Sequence, residues 1–400
     1  MTSSTQTLET RFFVVYMALF APFAVLTPYL QQLLHLYGFR HDQIGYIQGA
    51  VELTAVLAPP FWGLLSDRLR SPRGILALTI LLALPAFMLF SPGLTTPAAM
   101  LIAFLFGFFC KPSIPLTDGM TFAYFQRLGG DYGHVRIGGT ISFIACCLVF
   151  ERFVRIGDDP TGQRITTTFA VLLGVQACSL LLLPAARKRP TTAAPDPTSP
   201  GPDRAGGHEA LRLFLQPGFI AFMLAGFLAR FAMMSYYSFF SRYLNEVYDF
   251  RQVGYIWLLG SVCEFPLIFW SRRIMARIGV RNLFALGLLG TVVRLLGFGI
   301  PGSLWTVIAM QPLHMLTFGA FHCASVTYVS RSFPNRLQGS AQGICFAVTV
   351  GLGSFLGSAV GGVVLEHWGY VTLYLSFAAL AAVAFLVCIL FVPKLEKQTP

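Results

Sequence analysis

The segment Gly63-Leu64-Leu65-Ser66-Asp67-Arg68-Leu69-Arg70-Ser71-Pro72-Arg73 separates two long apolar stretches and carries three arginines. A glycine lets two helices approach closely, and an aspartate can face the positive amino-terminal end of a neighbouring helix. Short loops that are rich in arginine stay on the cytoplasmic side of a membrane. The segment therefore predicts a cytoplasmic hairpin between two transmembrane helices.

The composition of the whole chain predicts an integral membrane protein in a lipid bilayer. Apolar residues make up 55% of the 400 positions and charged residues only 11%, with a mean hydropathy of +0.67. Soluble domains are about one quarter charged. The net charge of +11 is scattered in short clusters between apolar runs, as topology signals are, so we expect no nucleic-acid partner.

Twelve apolar stretches approach the roughly 20 residues that a membrane-spanning helix needs. The predicted fold is therefore all-α, with transmembrane helices at 12–34, 43–65, 74–91, 97–122, 135–154, 165–185, 216–241, 252–271, 282–300, 304–330, 338–362 and 369–393. With a cytoplasmic amino terminus, and with Arg136 and Arg152 at the two ends of the fifth span assigned to the nearer side, 19 of the 28 lysines and arginines fall on the cytoplasmic side and six on the other, while three lie deeper within spans. This asymmetry predicts that both termini are cytoplasmic, and we expect a multi-pass protein of a bacterial inner membrane.

The chain divides into two similar halves. Residues 187–210 are rich in Pro, Gly, Thr and charge, and predict a flexible cytoplasmic linker between a six-helix half at 1–186 and another at 211–400. Gln43-Ile44-Gly45-Tyr46-Ile47 recurs as Gln252-Val253-Gly254-Tyr255-Ile256, each time at the start of the second helix of a half. Two six-helix pseudo-repeats are typical of transporters that bind substrate at the midplane.

The 63–73 segment resembles the signature loop of the major facilitator superfamily, Gly-x-Leu-x-Asp-Arg followed by basic residues. In that family the loop holds the two halves together in one conformational state. The resemblance therefore implies the major facilitator fold and a conformational latch, for which the candidate residues are Gly63, Asp67, Arg68, Arg73 and Arg136. The corresponding segment of the second half, 271–282, keeps arginines but has no aspartate.

A narrower resemblance points to a branch of proton symporters. Residues 118–124 and 130–141 are similar to the junction of the fourth and fifth helices in the 3-phenylpropionate permease branch, a relative of lactose permease. Residues 313–322 resemble its tenth helix, with His314 and His322 in register. Thr317 stands where lactose permease has a carboxylate, and Glu264 lies about one turn after the position of its eighth-helix carboxylate. Because of these two departures, neither the sugar specificity of lactose permease nor its proton carrier can be transferred to this chain. Similarity to the branch still implies proton coupling, without specifying a substrate.

Ionisable side chains inside the spans are candidates for proton coupling or for the substrate cavity, because each costs roughly 2.5–3.5 kcal/mol at a helix centre. They are Glu52, Lys111, Arg230, Glu264, Arg294, His314 and His322, with Asp118 nearer a span end. Glu264, Arg294 and His314 lie on successive helices and can neutralise one another, which leaves a coupling role and a structural polar cluster both open. Glu264 is the leading proton site.

Other candidates keep two interpretations. His322 lies about 80° around an α-helix from His314, so it either joins the same cavity or binds a backbone carbonyl. Lys111 and Asp118 are seven residues apart and either pair or line the cavity, and Lys111 or Arg230 would suit an anionic substrate. Tyr236 and Tyr237 either stack on a substrate ring or pack within the protein.

The predicted function is proton-coupled import of a small organic solute by alternating access. Aromatic or other carboxylates are the leading substrates; sugars, oligosaccharides and nucleosides are the alternatives. An exporter, and a non-transporting assembly factor or sensor, are further alternatives. We find no nucleophile, metal or nucleotide motif in the sequence and expect neither enzyme activity nor a cofactor, and we expect a monomer whose partners are protons and its small-molecule substrate.

Overall fold

A computed structural model describes residues 3–128, 130–183 and 211–395. The predicted linker at 187–210 lies outside the described residues. We number the helical spans α1 to α12; they comprise Gln6–Leu36, His41–Leu69, Pro72–Met88, Thr96–Phe125, Tyr132–Val154, Gln163–Leu182, Pro217–Tyr248, Val253–Ile278, Val280–Gly299, Leu304–Ser332, 337–368 and 370–391.

Every predicted span overlaps one of these helices, and the all-α membrane fold is confirmed. Within the described residues, ten helical stretches are long and apolar enough to cross a membrane. The difference from twelve has two sources. Helix α3 has only 17 residues, and α11 and α12 form one stretch, Leu337–Phe391, interrupted at Gly369 with φ 75°. Glycine adopts such positive φ values without steric cost.

Several helices contain breaks that the sequence pattern did not reveal. Helix α1 turns at 21–22 and α4 at 111–112, in both cases at a proline, which lacks the N–H for the helical ladder. Helix α10 contains a 3₁₀ turn at Gln311–Leu313 and a π-helical segment at Met315–Ala320. These irregular segments change the direction of the side chains that follow them.

The hairpin between α2 and α3 is shorter than predicted. Helix α2 continues to Leu69, so only Arg70 and Ser71 separate it from α3, which begins at Pro72. Arg70 ends the helix in the left-handed conformation with φ 49°, and its N–H bonds to the Asp67 carbonyl. Hydropathy missed the last turn because Ser66, Asp67 and Arg68 are polar, although arginine and leucine are good helix formers. We call the side of the molecule with this hairpin the basic face and the other side the opposite face.

The two halves meet closely at the opposite face. Helix α2 packs on α11 there, and α5 on α8. A Cβ atom added at Gly45 would overlap the Ser358 carbonyl oxygen and lie 3.0 Å from the Gly362 Cα atom. A Cβ atom at Gly254 would lie 2.7 Å from a carboxylate oxygen of Glu151. The repeated Gln-x-Gly-Tyr-Ile pattern therefore supplies each half with a glycine at the interface.

Polar contacts between the halves cluster on the same side. Gln32 Nε2 donates to Asn245 Oδ1 at 2.7 Å, and the His41 N–H donates to Glu366 at 3.0 Å. All such hydrogen bonds and ion pairs that we find between described residues lie between the opposite face and the level of Gln48, whose amide donates to the Ser238 carbonyl at 3.1 Å.

The buried apolar side chains, like the polar contacts, are distributed unequally between the two faces. One cluster of buried side chains includes residues of both halves. A second cluster lies towards the basic face and consists only of second-half residues, among them Phe222, Phe284, Tyr328 and Phe333. In the part of the chain that the structure describes, the halves are thus joined at the opposite face and separate at the basic face.

Candidate functional site

A fully buried arginine lies at the centre of the second half. Arg294 of α9 has 0% exposure. One guanidinium nitrogen, Nη1, is 2.7 Å from His314 Nδ1 and 3.2 Å from Thr317 Oγ1, and Nη2 donates to Gln311 Oε1 at 2.8 Å. The guanidinium also stacks over the Tyr236 ring, 4.0 Å from its centroid. These contacts take the place of the water molecules that the charge loses on burial.

Glu264 completes this arrangement through the same histidine. His314 Nε2 lies 2.8 Å from Glu264 Oε1, and both side chains are nearly buried. A guanidinium can only donate hydrogen bonds, so His314 Nδ1 must accept one from Arg294. The proton of the neutral ring is then on Nε2 and is donated to the Glu264 carboxylate. The structure therefore brings together Glu264, His314 and Arg294 and selects one imidazole tautomer.

A single proton on Glu264 would change the charge balance of this arrangement. With Glu264 ionised, its charge balances that of Arg294 through a neutral histidine. A proton on Glu264 weakens the hydrogen bond from His314 and leaves Arg294 as a buried cation without a counter-charge, which is unfavourable in a low dielectric. An anion that enters the cavity would restore neutrality.

The two predicted tyrosines have different surroundings. Tyr236 is completely buried beneath Arg294. Its ring therefore packs against the guanidinium and does not face the space where a substrate would bind. Tyr237 is half-buried, and Arg230 lies 4.8 Å from its ring centroid. Arg230 Nε donates to Ser354 Oγ at 2.8 Å, and no carboxylate among the described residues is within 4.0 Å of its guanidinium. Arg230 is therefore a cation without an acidic partner in the described structure.

His322 aligns with His314 through an aromatic side chain. The rings of His314, Phe318 and His322 stack in series, with centroid separations of 5.9 Å in both pairs. The π-helical segment changes the rotation per residue from the α-helical value that underlies the predicted 80° offset. His322 forms no hydrogen bond with any described residue, and it lies in electrostatic range of Glu264 and of Arg136 in the other half. It therefore belongs to the space between the halves.

The first half contains two separate polar groups. Lys111 Nζ bonds to Glu52 at 2.7 Å, and the pairing of Lys111 with Asp118 is not formed, because α4 breaks between them at Pro112. Asp118 accepts hydrogen bonds from Tyr16 at 2.5 Å and from Tyr132 at 3.1 Å.

Sequence reasoning missed Tyr16, Tyr132 and Gln311 as members of these sites. Tyrosine is common in membrane helices, so the two tyrosines carried no distinctive signal. Gln311 was detectable in principle, since a glutamine three residues before an intramembrane histidine lies on the same helical face. In the described part of the chain, no group of three His, Cys, Asp or Glu side chains is arranged to hold a metal ion.

The residues of the predicted latch do not form one in this conformation. An added Cβ at Gly63 would meet nothing within 4 Å. The side chains of Asp67 and Arg68 are exposed and form no hydrogen bond or ion pair with described residues, while Arg73 donates to the Leu183 carbonyl at 3.0 Å. The expected contact between Asp67 and a helix end is absent because the halves are apart on this face.

Arg136, assigned to the latch from sequence, lies inside α5. Its guanidinium carbon is 4.2 Å from the Phe20 ring centroid and 5.9 Å from that of Tyr16. This position is beside the Asp118 group and within electrostatic range of His322. In this conformation Arg136 therefore contributes to the space between the halves.

We compared the chain with protein-family models, curated proteins and solved structures, and the matches that we report are a transporter family and individual transporters. The model of the MFS_1 like family matches residues 10–376. The maltose permease of Geobacillus stearothermophilus is 26% identical over 384 residues, covering 96% of this chain and 93% of the permease. The probable 3-phenylpropionic acid transporter of Escherichia coli (strain K12) is 29% identical over 236 residues, covering 58% of each chain. A crystal structure of a variant of the nucleoside transporter NupG superposes with a TM-score of 0.83 at 18% identity, covering 96% of this chain and 100% of that one.

Proposed function

Because the chain belongs to the MFS_1 like family of major facilitator transporters, we propose that it is a proton-coupled symporter that imports a small organic solute by alternating access. It is a multi-pass membrane protein and a transporter, not an enzyme. The Lys and Arg asymmetry supports a cytoplasmic basic face, with both termini on that side of the inner membrane. In this orientation the structure corresponds to an inward-facing state.

The observation that carries this proposal is the buried series Glu264–His314–Arg294. Glu264 takes up the proton, because it is the carboxylate of the series and its hydrogen-bond partner, His314, is neutral. Proton binding leaves the Arg294 charge unbalanced, so the protonated site favours an anionic solute. Release of the solute and the proton into the cytoplasm restores the Glu264–Arg294 balance.

An aromatic or other carboxylate is the substrate class that the cavity supports best. Arg230 has no acidic partner among the described residues and lies against Tyr237, so a carboxylate and a ring could be bound side by side. The similarity to a probable 3-phenylpropionic acid transporter is in keeping with this choice.

A sugar is the second candidate, and two observations favour it. The match to a maltose permease extends over 96% of the chain. In addition, Asp118 and the hydroxyl groups of Tyr16 and Tyr132 form a polar group of the kind that can hydrogen-bond to sugar hydroxyls.

Thermal unfolding of the purified protein with a panel of carboxylates, sugars and nucleosides tests the substrate class. A ligand at 100 times its dissociation constant stabilises the native state by about 2.7 kcal/mol, so the correct class should raise the unfolding temperature at millimolar concentrations or below. We expect stabilisation by aromatic carboxylates that grows as the pH is lowered. Stabilisation by sugars or nucleosides alone would contradict the carboxylate assignment.

Substitution of Arg230 then tests the predicted contact. Arg230→Gln should abolish stabilisation by carboxylates, since it removes the cation that lies 4.8 Å from the Tyr237 ring centroid, whereas Arg230→Lys should retain part of it. The control is Arg251→Gln, which removes a 62% exposed arginine of the opposite face. Equal carboxylate binding by Arg230→Gln and the control would exclude Arg230 from the substrate site.

A further inference from the structure

A second buried carboxylate lies far along the chain from Glu264, at the contact between the halves. Glu151 is at the end of α5, in a π-helical segment at Phe150–Val154, and is only 4% exposed. Its Oε1 atom accepts a hydrogen bond from the Tyr29 hydroxyl of α1. The same atom accepts another from the Gly254 N–H of α8, at 2.6 Å. Glu151 therefore joins the two halves directly where the opposite face is closed.

The charges around Glu151 do not favour an ionised carboxylate. Among the described residues, no lysine, arginine or histidine is within 4.0 Å of it, and the neighbouring charged group, Asp158, has the same sign. The other titratable groups that we find facing it in the described part of the chain are Tyr29 and Cys147. The amino-terminal end of α8 offers a partial positive charge, which does not replace the hydration lost by a buried anion.

The hydrogen-bond pattern fits the neutral acid. Both donors bind the same oxygen, Oε1, and the carbonyl oxygen of a protonated carboxyl group has two lone pairs to accept them. Oε2 is then the hydroxyl oxygen that carries the proton. When the halves separate at the opposite face, Gly254 moves away with the second half, and water can reach the carboxyl group and stabilise its ionised form.

We propose that Glu151 is a second proton-binding site, distinct from Glu264, and that closure of the opposite face takes up one proton there. The proton comes from water on the opposite side, binds Oε2 as the interface closes and returns to that side when the interface opens. This inference rests on the proposed alternating-access function. It adds a condition for closure, because an ionised Glu151 resists burial between the halves.

Two measurements test the site, and neither requires a transported substrate. The first is the infrared carbonyl band of protonated carboxylic acids at neutral pH. We expect part of this band to disappear in Glu151→Gln and to remain in Glu366→Gln, a control carboxylate that also joins the halves at this face but is 24% exposed. An identical band in wild type and Glu151→Gln would overturn the proposal.

The second measurement follows the closure itself. Spin labels at Ser91 and Ser303, exposed positions on the opposite face of each half, would report the separation of the halves as a function of pH, in a background without the native cysteines. Uptake of one proton changes the closed-to-open ratio by up to tenfold per pH unit, so we expect closed molecules to increase as the pH falls.

The variants distinguish the role of the proton from that of the contact. Glu151→Gln keeps an oxygen acceptor for Tyr29 and Gly254 and should stay closed with this pH dependence removed. Glu151→Ala should open, and Glu366→Gln should retain the wild-type pH dependence. Opening of wild type at low pH, or an unchanged pH dependence in Glu151→Gln, would contradict proton uptake at Glu151. The distance between the labels depends on neither Glu264 nor substrate transport. Failure of the symport proposal would therefore appear in transport assays and not in this measurement.

Discussion

At the scale of single residues, Arg294 shows how a charge is retained in a membrane-embedded half. Its guanidinium has four kinds of contact, to an imidazole, a hydroxyl, an amide oxygen and an aromatic face. Gln311 is itself fixed, since its Nε2 donates to the Val307 carbonyl at 3.0 Å. These partners hold Arg294 in one position, and this position determines which nitrogen of His314 carries the proton.

Substitution of the proposed proton site gives the first prediction. Glu264→Gln should abolish accumulation of substrate against a gradient and retain exchange of substrate across the membrane, because a glutamine is permanently neutral but still accepts the His314 N–H. Uptake and counterflow in proteoliposomes with an imposed pH gradient would measure both activities.

His314→Ala serves as the comparison for that experiment. It leaves Arg294 without its 2.7 Å partner and should lower the affinity for substrate while Glu264 can still bind a proton. Proton-driven accumulation by Glu264→Gln would show that the proton is carried elsewhere, with Glu52 or Asp118 the next candidates.

At the scale of elements, we find no hydrogen bond or ion pair between the α2–α3 hairpin and the second half among the described residues. The Asp67 side chain forms no hydrogen bond or ion pair with described residues, so its proposed contact with a helix end can stabilise only a state in which the basic face is closed. Such a contact between a carboxylate and a helix terminus is worth roughly 0.3–1 kcal/mol.

Asp67→Asn should therefore increase the population of the conformation described here by about two- to fivefold, given that 1.4 kcal/mol corresponds to a factor of ten. Labelling rates of single cysteines on the two faces would measure the shift. The control is Asp249→Asn, which removes an 89% exposed carboxylate from the opposite face. Unchanged labelling and transport in Asp67→Asn would show that Asp67 is an ordinary loop residue without a role in closing the basic face.

The glycine of the repeated pattern gives a prediction for the other face. Gly45→Leu should open the opposite face, because even the first carbon of the new side chain overlaps the Ser358 carbonyl. Gly119→Leu is a matched control, since an added Cβ there would meet nothing within 4 Å. Labelling of opposite-face cysteines should rise in Gly45→Leu only, and an equal rise in both variants would indicate general destabilisation.

At the scale of the whole molecule, the direction of transport depends on which face is cytoplasmic. Reporter fusions within 187–210 and at the carboxyl terminus should both be cytoplasmic, and a fusion near Asp158 should be external, because lysines and arginines are concentrated on one side. An external linker would contradict the assignment of the basic face to the cytoplasm, and with it the inward-facing state.

The sequence by itself determined the membrane class, the positions of the spans, the internal repeat and the set of ionisable residues to consider. These properties are local: hydrocarbon requires a run of apolar residues, and each buried charge stands out against that run. The breaks at Pro112 and in the π-helical segment of α10 were less visible, because proline and glycine occur in many membrane helices without comparable effect.

Only the tertiary structure decided which of these residues meet. Lys111 pairs with Glu52 and not with Asp118, Arg136 lies over the Phe20 ring, and Glu151, which no motif distinguishes, joins the halves at Gly254. Such contacts link residues about 60 to 100 positions apart and depend on helix breaks and on the conformational state. The physical reason is that a buried charge is costly wherever it lies, whereas the identity of its partner depends on how the helices pack.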